Sequence, residues 1–132
     1  MAYKTIDHQV RFKAPASRIY EMLMDSEKHS EFTGGPAKIG REPGSAFEVM
    51  GGAIKGVTLE LLPNKRIVQS WRVAEDTWPE DHLSTAIFML EEKDGETLLH
   101  FVHAGVPEQA HDSIDEGWKK YYWDPIKKAI GS

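Results

Sequence analysis

Among side chains that can move a proton or hold a metal, the six histidines of this 132-residue chain come first. His8 lies between Ile6 and Val10 in an alternating stretch, on the apolar side. A ring placed there either contacts a ligand or sits buried with one hydrogen-bond partner, which is the commoner arrangement. His100 and His103 are three residues apart on a strand pattern, so they face opposite ways and do not share a metal. His29, His82 and His111 scatter among loops and helix starts. With no cysteine in the chain, thiol chemistry, disulfides and cysteine-based zinc sites are absent together. The carboxylates give no paired spacing. Glu60, like Glu48 and Gln69, is expected to face water, with Val57, Leu59 and Leu61 as the inward set. No Ser–His–Asp order or phosphate-binding glycine loop is present, and Gly34-Gly35 and Gly51-Gly52 read as turns. The expectation is a protein with no catalytic residue, no metal and no cofactor.

Binding chemistry is better represented. Ile114, Trp118, Tyr121, Tyr122, Ile126 and Ile130 recur at steps of three and four, the spacing of one helix face. Such a face is either plain core or the wall of a cavity accepting an apolar molecule. The ligand-cavity candidates are His8, Trp71, Trp118, Tyr121 and Tyr122. Beside the stripe, Lys119, Lys120, Lys127 and Lys128 form a basic strip, either a solvated face or a dock for an acidic partner surface. Trp78, before Pro79 in a loop, is a further partner-docking candidate, because an exposed tryptophan is costly unless used.

These groups need a frame. The helix is expected over Ser113 to Ile130, opened by a Ser113/Glu116 capping box and kinked at Pro125. Thr5 to Lys13 alternates as a half-buried strand, and two short helices follow, through PASRIYEML and SEKHSEF. Strand-like pieces then run to Gly105, separated by Gly51-Gly52, Pro63-Asn64-Lys65, Thr77 to His82, and the hairpin signal Asp94-Gly95. The reading is an α+β fold: a curved antiparallel sheet of about six strands wrapped around one long C-terminal helix. A continuous cavity beneath that helix would favour a ligand, and a filled core would favour a protein partner.

Length and composition suit one domain over residues 1–132. Sixteen basic against twenty-one acidic residues give a net charge of −5, which argues against a non-specific grip on nucleic acid or anionic membrane. No apolar run approaches the roughly 20 residues of a membrane span, and MAYKTIDHQVRFK lacks a signal-peptide core. A mature cytoplasmic protein, working as a monomer, is expected.

Several pieces carry a resemblance. They are Phe32 to Pro36, AFEVMGGAIKGVTLELLPNKRIVQSWR from Ala46 to Arg72, WPEDH from Trp78, GVP from Gly105 and GWKKYYWDPIKKAIG from Gly117. In order and spacing they resemble the family of activators of the heat-shock protein 90 ATPase, within the START-like (SRPBCC) helix-grip superfamily. The likeness is to the C-terminal domain of the eukaryotic activator, whose N-terminal domain and asparagine- and tryptophan-rich leader have no match here. It implies a helix-grip fold and a non-enzymatic, co-chaperone-like module whose partner is a heat-shock protein 90-type chaperone. The alternative is a carrier or sensor of a small apolar ligand held between sheet and helix.

Overall fold

The computed structural model describes residues 2–131. Strand β1 (Tyr3–Phe12) is followed by helices α1 (Ala16–Met24) and α2 (Ser26–Thr33). Strands β2 (Lys38–Ile39), β3 (Ala46–Val49), β4 (Ile54–Leu62), β5 (Arg66–Val73), β6 (Ser84–Lys93) and β7 (Glu96–Pro107) come next. Together they form one sheet of seven strands in the order β1-β7-β6-β5-β4-β3-β2, with every pairing antiparallel. The strand beyond the expected six is β2, whose two residues pair with Glu48 and Phe47. A segment that short shows no alternation.

Alternation sets the inner face: Ile6, Val10 and Phe12 on β1, Ala86, Phe88 and Leu90 on β6, and Leu99, Phe101 and His103 on β7 are all buried. Asp94 and Gly95 take φ values of 55° and 78°, the primed turn that matches the right-handed twist of the β6–β7 hairpin. Strand β4 departs from expectation. The register slips by one between Thr58 and Glu60, so Leu59 is an extra, bulged residue and the alternation changes phase across it. Thr58 is therefore buried while Val57 and Leu59 are exposed, and Leu61 packs against the core. Glu60 faces outward, ion-paired with Arg66 at 3.1 Å. Gln69 also differs from its expected exposure, since it is buried beside Ile67 and Trp71.

Pro15 offers α1 no side-chain acceptor. Glu92 of β6 supplies it instead, taking the Ala16 amide at 2.7 Å. Asp25 caps α2 through the Lys28 amide, and Gly34, at φ 79°, ends it.

The C-terminal helix lies across the inner face in three pieces: α3 (His111–Trp118), a π-helical turn (Lys119–Trp123) and α4 (Asp124–Ile130). It begins earlier than expected, growing out of a 3-10 turn at Glu108–Ala110 with Ala110 as N-cap and no side-chain cap. Ser113 and Glu116 are thus inside the helix and form no capping box. Pro125 acts through the turn before it. Its ring has no N–H to give and crowds the preceding carbonyls, and the Asp124 amide bonds the carbonyl of Lys119, five residues back. Lys127 and Lys128 occupy the last turn, closed by Gly131 at φ 79°.

Gly56 tests the close approach of β4 to its neighbours. A Cβ there would lie 1.8 Å from the Ser70 carbonyl oxygen and 2.7 Å from the Phe47 ring. Gly56→Ala is expected to lower the unfolding free energy by about 2–3 kcal/mol, read as a fall in the urea midpoint at unchanged m-value.

Candidate functional site

Three aromatic side chains of the helix are hydrogen-bonded to the frame, and each donates to a histidine ring. Trp118 Nε1–H donates to His103 Nδ1 on β7 at 3.0 Å. The other ring nitrogen, Nε2–H, donates to the Ser84 hydroxyl at 2.7 Å, which in turn donates to the Trp71 carbonyl at 2.8 Å. Tyr122 donates its hydroxyl proton to His29 Nε2 on α2 at 2.9 Å, while His29 Nδ1–H donates to the Leu23 carbonyl at 3.1 Å. Trp123 Nε1–H donates to His8 Nδ1 on β1 at 2.9 Å, and His8 Nε2–H donates to the Asp115 carboxylate at 2.7 Å. Each network therefore assigns its ring one neutral tautomer.

Burial agrees with that assignment. It lowers the pKa of His29 to about 4 and that of His103 to about 3, and it pushes the Tyr122 hydroxyl up. For Asp115, burial acts upward, but hydrogen bonds from His8 and Lys119 outweigh it and hold the carboxyl below its ordinary range.

Aromatic rings fill the space between sheet and helix. Trp118 stacks on Trp123 with centroids 5.7 Å apart and planes at 18°, and both pack on Phe101 and Phe88. The void left in this interior, beside His29, Gln69 and Tyr122, measures about 10 Å³. That is room for about one water molecule. At the flank a groove of about 250 Å³ runs between the helix and the start of β4 and end of β5. Met50, Ile54 and Val73 line it from the β3–β5 side, Ile114 and Gly117 from the helix, and Glu75 from the turn after β5.

Trp71, Trp118, Tyr121 and Tyr122 are brought together as walls of this groove. Tyr121 is 42% exposed, while the other three are buried. His8 is not among the lining residues, and both of its nitrogens are taken by Trp123 and Asp115. Trp78 is no exposed anchor. It is 4% exposed, packed on Trp71 at 5.4 Å, with its N–H given to the His82 carbonyl at 2.9 Å, so the Thr77–His82 turn folds the ring inward. Lys119 pairs with Asp115 at 3.3 Å, Lys120 lies over the Tyr121 ring at 5.3 Å, and Lys127 is half-buried in the last turn. Among the described residues no cluster of three or more His, Cys, Asp or Glu side chains is placed to hold a metal ion, and no helix is long and apolar enough to cross a membrane.

Sequence reasoning passed over Trp123 and His29. Trp123 lies off the regular helical stripe, and its signal was Pro125 two places on. His29 sits on a short, mostly polar helix whose sequence carries little amphipathic pattern.

Fold and site together define an α+β helix-grip protein with a filled centre and a lateral apolar groove. The profile of the family described as "Activator of Hsp90 ATPase homolog 1-like protein" matches residues 13–131, and the chain belongs to that family. It is 31% identical over 120 residues to the human "Activator of 90 kDa heat shock protein ATPase homolog 1", covering 91% of this chain and 35% of that protein. The chain thus spans about a third of the length of the curated relatives it matches. Among solved structures, an HSP90 activator from Plasmodium falciparum superposes with a TM-score of 0.89 at 19% identity, covering 96% of each chain. The Aha1 of Colwellia psychrerythraea, described as a dimer, gives 0.79 at 20% identity, also over 96% of each. At those identities the likeness is one of fold.

The histidine bonds make stability depend on pH. Both buried rings have native pKa values below the ordinary 6.5, at about 4 for His29 and about 3 for His103. As pH falls through about 6.5 the unfolded chain gains protons that the native chain refuses. Stability present above that value is therefore lost progressively, down to about pH 4 through His29 and about pH 3 through His103. The slope is up to about 1.4 kcal/mol per pH unit for each histidine. Melting temperature should drop steeply across this window, and His103→Gln should be less stable at pH 7 but show a shallower acid slope. An unchanged slope in that variant would contradict the assignment.

Proposed function

We propose that this protein is a non-enzymatic, co-chaperone-like module that docks on a heat-shock protein 90-type chaperone and modulates its ATPase. Membership of the activator-homologue family carries the reading. The filled interior supports it, because the centre of the fold is given to aromatic packing rather than to an enclosed ligand chamber. Docking is assigned to the polar side of the C-terminal helix, where Lys119 and Lys120 are exposed and meet an acidic partner surface. Reversal of both to Glu is expected to weaken association with the host chaperone about tenfold, by loss of two attractive contacts and their replacement with repulsion. Both side chains are exposed, so the melting temperature should hardly change. Calorimetric titration against the purified chaperone, with its ATPase rate measured alongside, checks this. Wild-type protein that neither binds the chaperone nor changes its rate would sink the proposal.

A second reading is carriage or sensing of a small apolar ligand, and the flank groove is the observation that favours it. Gly117 lies in its wall, and a Cβ there would meet nothing closer than Tyr121 Cδ2 at 3.9 Å. Gly117→Leu is therefore expected to fill the groove without cost to the fold, and to remove any molecule that co-purifies with the wild type in native mass spectrometry.

A further inference from the structure

The groove has a chemical character more specific than apolar. Four of its walls are the aromatic rings of Trp71, Trp118, Tyr121 and Tyr122, and among the lining residues Glu75 is the one charged side chain. Aromatic rings present partial negative charge on their faces, and a cation over such a face is attracted by it. A carboxylate beside an aromatic wall is the complement of a positively charged nitrogen on a hydrophobic body. We propose that the groove is a binding site for a small organic cation, an alkyl- or arylammonium whose apolar part lies against the wall and whose nitrogen is held at Glu75. This rests on the ligand reading of the same groove and names the ligand's class.

Glu75 is positioned rather than loose. It follows β5 in a turn where its amide bonds the Val73 carbonyl at 3.0 Å and its own carbonyl takes the Trp78 amide at 3.1 Å. Its carboxylate accepts the Thr77 hydroxyl at 3.0 Å. Trp78 is itself packed on Trp71, so the turn bearing the carboxylate and the aromatic wall are one packed unit. No lysine or arginine lines the groove. An anionic ligand would meet Glu75 with no lining cation to offset it, and a neutral one would forgo the attraction. The ammonium of Lys120, 5.3 Å from the Tyr121 ring centroid, shows that this ring already accepts a cation. The volume of about 250 Å³ lies below the roughly 300 Å³ of the smallest drug-sized pockets, which limits the occupant to a small molecule. The net charge of −5 favours approach of cations over anions.

The test compares three probes with the same six-carbon body: n-hexylammonium, hexan-1-ol and hexanoate. Each is titrated into the isotope-labelled protein at pH 7 while the amide of Gly117 and the indole N–H of Trp118 are followed by NMR. Hexylammonium is expected to shift both saturably and to bind about fivefold or more tightly than hexanol, with hexanoate weakest. Glu75→Gln should bring hexylammonium to the level of hexanol and leave hexanol unchanged, and Gly117→Leu should abolish both. Hexanol binding as tightly as the ammonium, or Glu75→Gln having no effect, would overturn the cation assignment while leaving an apolar site. Absence of shifts at Gly117 and Trp118 with all three probes would overturn the site itself.

Discussion

The structure depends on hydrogen bonds from aromatic side chains to neutral imidazoles. A helix carrying Trp118, Tyr122 and Trp123 toward a sheet must find partners for one N–H or O–H on each ring once water is gone. Here a histidine ring accepts from each of the three. A neutral imidazole offers one acceptor and one donor, and so passes the requirement outward by one step. From His103 it passes to Ser84 and the Trp71 carbonyl, from His29 to the Leu23 carbonyl, and from His8 to Asp115. Each bond contributes about 1 kcal/mol net, but leaving one donor buried and unpaired costs about 1–3. The constraint is thus stronger than the attraction. It also ties the helix to β7, α2 and β1 at once, across sequence separations of 15, 93 and 115 residues.

The π turn makes this arrangement possible. In a regular helix a five-residue step rotates a side chain about 140° from its start, which would send Trp123 away from the sheet when Trp118 faces it. Widening the turn ahead of Pro125 lets five residues complete it, so Trp118 and Trp123 stack and each reaches its own histidine. Proline supplies the cause from sequence alone, but which neighbours it re-aims is settled by what the sheet offers. The stripe of threes and fours accordingly located Trp118, Tyr122 and Ile126 in the core, while Tyr121, on the same stripe and read as either core or cavity wall, lies exposed at the flank.

Much else was legible because it was local. Two-residue alternation and the turn residues at Asn64, Asp94 and Gly95 marked β4 to β7 to within three residues, and Gly34 marked the end of α2. What was not legible depended on distant partners. The bulge at Leu59 reverses the faces of β4 and shows only in its register with β5. Trp78 is buried because Trp71 lies beneath its loop and the His82 carbonyl accepts its N–H. His29 is a core residue because Tyr122, far along the chain, needs an acceptor. In the site, the aromatic wall could be read from the helix and from Trp71, whereas Glu75 could not, because its place beside the wall is made by the turn after β5.

The filled core and the open groove have one origin. Helix-grip architecture can leave its space at the centre, beneath the helix, or at the side. Here Trp118, Tyr122 and Trp123 are all drawn inward by their acceptors and, with Phe88 and Phe101, occupy the centre almost completely. The widened turn that admits Trp123 displaces Tyr121 from the core to the flank, where it becomes a wall of the groove and carries Lys120 over its ring. Gly117, one turn earlier, has no side chain to close the gap. An occupant therefore meets the edge of the aromatic core rather than its interior. Binding at the flank need not break any of the three imidazole bonds, so the proposed recognition would leave the fastening of the helix intact.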